Sequence, residues 1–78
     1  MRRSIDDAAT RPQDGVEPVS WAVAISDDYD DAEPKVVLTV EEVGRAGYGL
    51  VAHLDPDIAR RLRTAIRDAL AEIGEATD

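Results

Sequence analysis

The stretch "YGLVAHLDPDIARRLRTAIRDAL", residues 48–70, contains the point at which the hydrophobic period changes from two residues to about 3.6. Before Asp55 the apolar residues alternate, as they do in a half-buried strand. After Asp55 they recur at steps of three and four, as on one face of a helix. Asp55 and Pro56 suit a helix start. An aspartate side chain accepts hydrogen bonds from the free amides of the first turn, and proline has no amide hydrogen that would be left unpaired there. We predict a helix over 56–73, ended by Gly74.

Two earlier stretches carry the strand period. In "VSWAVAIS", residues 19–26, and in "KVVLTVEEV", residues 35–43, large apolar residues alternate with smaller or more polar ones. Residues 48–54 form the third strand of this prediction. The fold class is therefore α+β, a three-stranded antiparallel sheet in the order β-β-β-α, with the C-terminal helix packed on one face.

The amino-terminal segment differs from the rest in composition. Residues 1–18 mix charge, two prolines and a glycine without an apolar period, so we expect a flexible tail. Residues 19–78 then form a single domain.

The length limits the core that the chain can build. A domain of 78 residues buries only about 60% of its unfolded surface, so its stability is marginal. The chain contains no cysteine, which excludes disulfides and thiolate zinc sites and favours a reducing compartment. No apolar stretch follows the two amino-terminal arginines as it does in a secretory signal. We expect a soluble cytoplasmic protein that gains further burial by oligomerisation.

The sheet face opposite the helix is small and half apolar in this prediction, whereas a solvated face is normally more polar. A second copy covering that face supplies the missing layer. The expected homodimer interface is formed by Ala22, Ala24, Val37 and Val51.

The segment "SDDYDDAEPK", residues 26–35, concentrates acidic side chains between two strands. It lacks the glycine and the spacing of an EF-hand loop, so we predict neither a metal site nor a cofactor. The segment is expected to be a solvated connection that attracts a basic protein partner. The residues assigned to partner binding are Asp27, Asp28, Asp30, Asp31 and Glu33.

Three arginines of the helix, Arg60, Arg63 and Arg67, fall on one ridge beside the apolar stripe. They form a docking strip for an acidic partner, or solvated side chains whose stems cover apolar surface. A third alternative pairs the ridge with the acidic segment of the same or a neighbouring subunit. The sequence leaves these alternatives open.

Catalysis and nucleic-acid binding find little support. His53 is the single histidine, and nothing in the spacing of Ser20, Ser26 and Thr39 assembles a nucleophile, a base and an orienting acid around it. The formal charge of −8 repels phosphates and anionic lipid. We therefore expect no catalytic residue, no direct nucleic-acid contact and no membrane contact.

Two resemblances concern the carboxyl-terminal half. The stretch "KVVLTVEEVGRAGYGLVAHLDPDIARRLRTAIRDALAEIGE", residues 35–75, resembles short proteins of actinobacteria and their phages that have no assigned role. Residues 46–70, "AGYGLVAHLDPDIARRLRTAIRDAL", are similar to the strand-to-helix passage of HicB-type antitoxins. That resemblance implies three strands and a helix from a partial RNase H-like domain. The proline-glycine loop of that family is missing between Leu54 and Asp55.

The function predicted from the sequence is a small, acidic, noncatalytic protein-interaction or regulatory protein that forms a homodimer. The first alternative is an acidic inhibitor or antitoxin-like protein that blocks a nucleic-acid enzyme. The second alternative is an enzyme with a site near His53.

Overall fold

The computed structural model describes residues 2–12, 14–27, 33–45 and 47–77. In these ranges four strands precede one helix, as an α+β fold. The elements are β1 (Arg2–Ala9), β2 (Val19–Ser26), β3 (Lys35–Glu42), β4 (Gly49–Leu54) and α1 (Pro56–Glu72). The strands form one sheet in chain order, and each strand is antiparallel to its neighbours.

The prediction of three strands is wrong, because Arg2–Ala9 forms a fourth strand at the edge of the sheet. It lies in the segment that we expected to be a flexible tail outside the domain. Its pairing with β2 runs from Arg2 opposite Ser26 to Ala9 opposite Ser20, with an irregularity between Ser4 and Asp6. All eight residues of β1 are exposed. The strand therefore has no buried face, and its sequence shows no alternation of apolar residues. Backbone pairing defines this strand.

The register gives the sheet two distinct faces. Trp21, Val40 and Leu50 are aligned across β2, β3 and β4, and the rows Val23–Leu38–Ala52 and Ile25–Val36–Leu54 follow on the same side. We call this side the helix-side face. The other side, which we call the open face, carries Ala22, Ala24, Val37, Thr39, Val51 and His53. The predicted two-residue period of these three strands is confirmed.

The β3–β4 turn is held by its own side chains. Gly44 and Gly47 have φ of 85° and 89°, a region that glycine enters without steric cost. The Arg45 guanidinium donates a hydrogen bond to Glu42 Oε2 at 3.1 Å and lies 5.2 Å from the centre of the Tyr48 ring. The Glu41 carboxylate accepts a hydrogen bond from the Gly47 amide at 3.0 Å. Glu41 is therefore anchored over the start of β4.

Gly49→Ala should destabilise this hairpin. A Cβ at Gly49 would collide with Glu41 Cγ and lie 2.7 Å from the Val40 carbonyl oxygen. We expect a loss of about 1–2 kcal/mol in the free energy of unfolding, measured by urea denaturation, because a packed site rejects added volume. In a Glu41→Ala background the same substitution should be less harmful. An equal loss in both backgrounds would contradict the role given to Glu41.

The helix begins and ends near the predicted residues, but its start differs in detail. The Asp55 backbone oxygen accepts a hydrogen bond from the Ala59 amide at 2.9 Å, whereas its side chain makes no capping hydrogen bond. The predicted capping role of that carboxylate is therefore wrong, and its oxygen lies 3.9 Å from Lys35 Nζ instead. This weak ion pair draws the side chain towards β3.

The end of the helix follows a recognised pattern of backbone bonds. Gly74 has a φ of 80°, and its amide donates to the Ala71 carbonyl at 3.1 Å. The Glu75 amide donates to the Leu70 carbonyl at 2.9 Å. These bonds form a Schellman motif, which satisfies carbonyls left free at a helix end. Gly74 is confirmed as the stop, and the helix ends at Glu72 rather than at Ile73.

Candidate interaction surface

The helix covers only part of the helix-side face. Its contacts with the sheet involve β3 and β4, and no residue of the helix is buried. Between helix and sheet lies a cleft of about 270 Å³. Its lining consists of Val23, Val36, Leu38, Leu54, Ala59, Leu62, Arg63 and Ile66. The row containing Trp21, Val40 and Leu50 lies outside that lining.

Large apolar side chains remain exposed on both sides of this cleft. On the sheet, Leu50 is 80% exposed; on the helix, Ile58 is 48% and Ile73 is 73% exposed. Such side chains in contact with water forgo the transfer free energy that burial provides. We call the apolar stripe of the helix and the uncovered part of the helix-side face the helix-side apolar surface. Its helical members are Ile58, Leu62, Ala65, Ile66, Ala69 and Ile73.

The total exposed area is large for a chain of this mass. The chain exposes 6421 Å² at a mass of 8.5 kDa. A compact monomer of that mass exposes about 4,700 Å², so roughly 1,700 Å² is in excess. The Cα radius of gyration is 14.4 Å, against about 11.5 Å for a compact domain of this length. In the described part of the chain, one apolar side chain is buried, that of Val37.

The open face offers less apolar surface than the sequence suggested. Of the four residues predicted to form the dimer interface, Val37 is 1% exposed within a single chain and Val51 is 53% exposed. Ala22 and Ala24 are half-buried. A second copy would gain almost nothing from Val37. That this face forms a dimer interface stays a prediction.

His53 lies on the open face of β4, opposite Val37, and is exposed. The register separates it from Ser20 by two rows of the sheet, because Ser20 pairs with Glu41 at the other end. The Ser20 hydroxyl donates a hydrogen bond to the Glu41 carbonyl at 3.5 Å. The sheet therefore does not bring these two groups together as a nucleophile and its base.

The acidic segment is only partly described. Asp27 and Glu33 are exposed at its two ends. Asp28, Asp30 and Asp31 lie outside the described residues. Among the described residues, no group of three histidine, cysteine or acidic side chains is placed to hold a metal ion.

The arginine ridge of the helix is brought together as predicted, with Arg60, Arg63 and Arg67 all exposed. Arg63 also lines the cleft beside Ile66. Whether the ridge binds a partner stays a prediction. The helix-side apolar surface was not predicted from the sequence. A single helix that has to cover several strands was a signal for it.

No protein-family model matches the chain, and neither a curated protein nor a solved structure matches it. Within the described ranges, no helix is long and apolar enough to cross a membrane.

Proposed function

We propose that this chain is a noncatalytic protein-interaction or regulatory protein whose working surface is the helix-side apolar surface. The observation that carries the proposal is the roughly 1,700 Å² of exposed area above that of a compact monomer of this mass. Part of this exposed area is apolar, with Leu50, Ile58 and Ile73 among the exposed side chains, and exposed contiguous apolar surface marks sites where another polypeptide docks. Docking there completes the core that the single chain leaves open.

The chemistry of the surface supports binding rather than catalysis. Its members are aliphatic side chains and one tryptophan row, which provide area but no nucleophile, acid or base. His53 lies on the other face of the sheet, and the hydroxyls considered with it, those of Ser20, Ser26 and Thr39, all lie in rows other than its own. The position of the apolar surface between helix and sheet favours a helix as the docking element.

Thiol labelling of two single-cysteine variants tests this proposal, because the natural chain has no cysteine. Ala65→Cys places a thiol on the apolar stripe, and Ala71→Cys places one on the opposite side of the same helix. Both alanines are exposed in the single chain. We expect native Ala65→Cys to react at least about tenfold more slowly than Ala71→Cys in cell lysate, since the docked polypeptide excludes the reagent. In urea the two rates should be equal.

Equal labelling rates under native conditions would contradict the proposal. The pair is well matched, because both substitutions replace alanine in the same helix and differ in the side of the helix that carries the thiol.

A further inference from the structure

We infer that the polypeptide docked on the helix-side apolar surface is a second copy of this chain, whose α1 packs antiparallel against α1. The inference rests on the proposed function and identifies the polypeptide that docks on this surface. Three properties of the described residues carry it: the spacing of the apolar stripe, the charges beside the stripe and the exposed area.

The apolar stripe is wider than the contact between the helix and its own sheet. Ala59, Leu62, Arg63 and Ile66 line the intramolecular cleft. Successive residues turn by about 100°, so Ile58, Ala65 and Ala69 extend the stripe to the side away from that cleft, and Ile73 continues it towards the end of the helix. With Leu62 they recur at steps of four, three, four and four, the spacing of a helix–helix seam. Alanines at its centre allow two helix axes to approach to about 8 Å.

The charges beside this seam are complementary to themselves in the antiparallel orientation. Arg61 lies on the flank next to the seam in the first half of the helix, and Asp68 and Glu72 lie on the same flank in the second half. An antiparallel pair sets Arg61 opposite the partner's Asp68 and the partner's Glu72. In a parallel pair this flank faces the partner's other flank, which is apolar, so these charges do not meet. No described carboxylate lies within 4.0 Å of Arg61 in the single chain.

The excess area fits a stable dimer. A standard stable interface buries about 800 Å² on each partner, and the chain exposes roughly 1,700 Å² more than a compact monomer of its mass, so the excess is large enough to supply such an interface. A two-fold axis across the seam makes both chains contribute the same surface, so one docking event covers both apolar stripes.

A charge exchange tests this inference on the purified chain by sedimentation equilibrium. Arg61→Glu and Glu72→Arg should each raise the dimer dissociation constant about tenfold, because each places like charges across the seam. The double variant should return to within about threefold of the natural value. Residues 61 and 72 are roughly 16 Å apart along one helix, so only contact between chains can produce this rescue. Arg67→Glu, on the far side of the helix, is the matched control and should leave dimerisation unchanged.

A double variant that associates no better than the single variants would overturn the inference. A purified natural chain that stays monomeric at micromolar concentration, while Ala65→Cys remains protected in lysate, would overturn the second copy but leave the proposed function standing. Rapid labelling of Ala65→Cys in lysate would overturn both.

Discussion

Leu62→Asp should abolish both the folded helix and the dimer. Leu62 lines the cleft against the sheet and also belongs to the proposed seam between the helices of two chains. Leu62 is 38% exposed in the single chain and covered in the proposed dimer, where an aspartate removes apolar contacts on both sides and places a charge in a dry environment, at a cost of about 4 kcal/mol or more. For a chain of marginal stability this loss exceeds what the fold can tolerate. Circular dichroism should show loss of the helical signal, and light scattering should show single chains.

Thr64→Asp is the matched control for this change. Thr64 lies on the opposite side of the same helix and is exposed, so the same new charge remains in water. We expect its fold, stability and mass to resemble those of the natural protein. A Leu62→Asp variant that keeps the natural helical signal and stability would refute the assigned helix face.

Val37→Ala should have the second largest effect, a loss of about 2–3 kcal/mol in the free energy of unfolding. Val37 is almost completely buried in the middle of β3, between Ala24 and His53 of the neighbouring strands. Removing its two methyl groups loses transfer free energy and leaves a cavity. Urea denaturation measures the loss, with the slope of the transition expected to be unchanged.

Val51→Ala makes the same chemical change on the same open face. Val51 is largely exposed, so its truncation removes little contact and should change the free energy of unfolding by less than about 0.5 kcal/mol. Losses of equal size at the two positions would mean that the open face is covered in solution. That outcome would support the dimer interface predicted from the sequence, formed by Ala22, Ala24, Val37 and Val51.

The elements with an apolar face could be predicted from the sequence. The alternation in 19–26 and 35–43 and the helical stripe after Asp55 are consequences of side chains that face an apolar neighbour, so the pattern records the packing. β1 has no buried side, and it is defined by its backbone pairing with β2. A segment of this kind leaves no periodic signal, which explains why a fourth strand was not predicted.

The candidate surface could be predicted only in outline. The sequence indicated that one helix is too little for the sheet, and that a second chain supplies the missing layer. We predicted that the uncovered apolar surface lies on the open face, because we expected the helix to cover the helix-side face completely. The structure instead leaves Leu50 and the large side chains of the helical stripe, on both of its sides, exposed. The part of a sheet face that a helix covers depends on tertiary contacts. The hydrophobic period of the sequence does not encode those contacts.

The thermal midpoint of the natural chain, measured over a range of protein concentrations, tests the central claim most directly. If a second copy completes the core, unfolding is coupled to dissociation and mass action stabilises the folded dimer. For two chains of this length the midpoint should rise by about 4–5 °C for each tenfold increase in concentration. A midpoint independent of concentration, with a reversible transition and the mass of a single chain, would contradict the account.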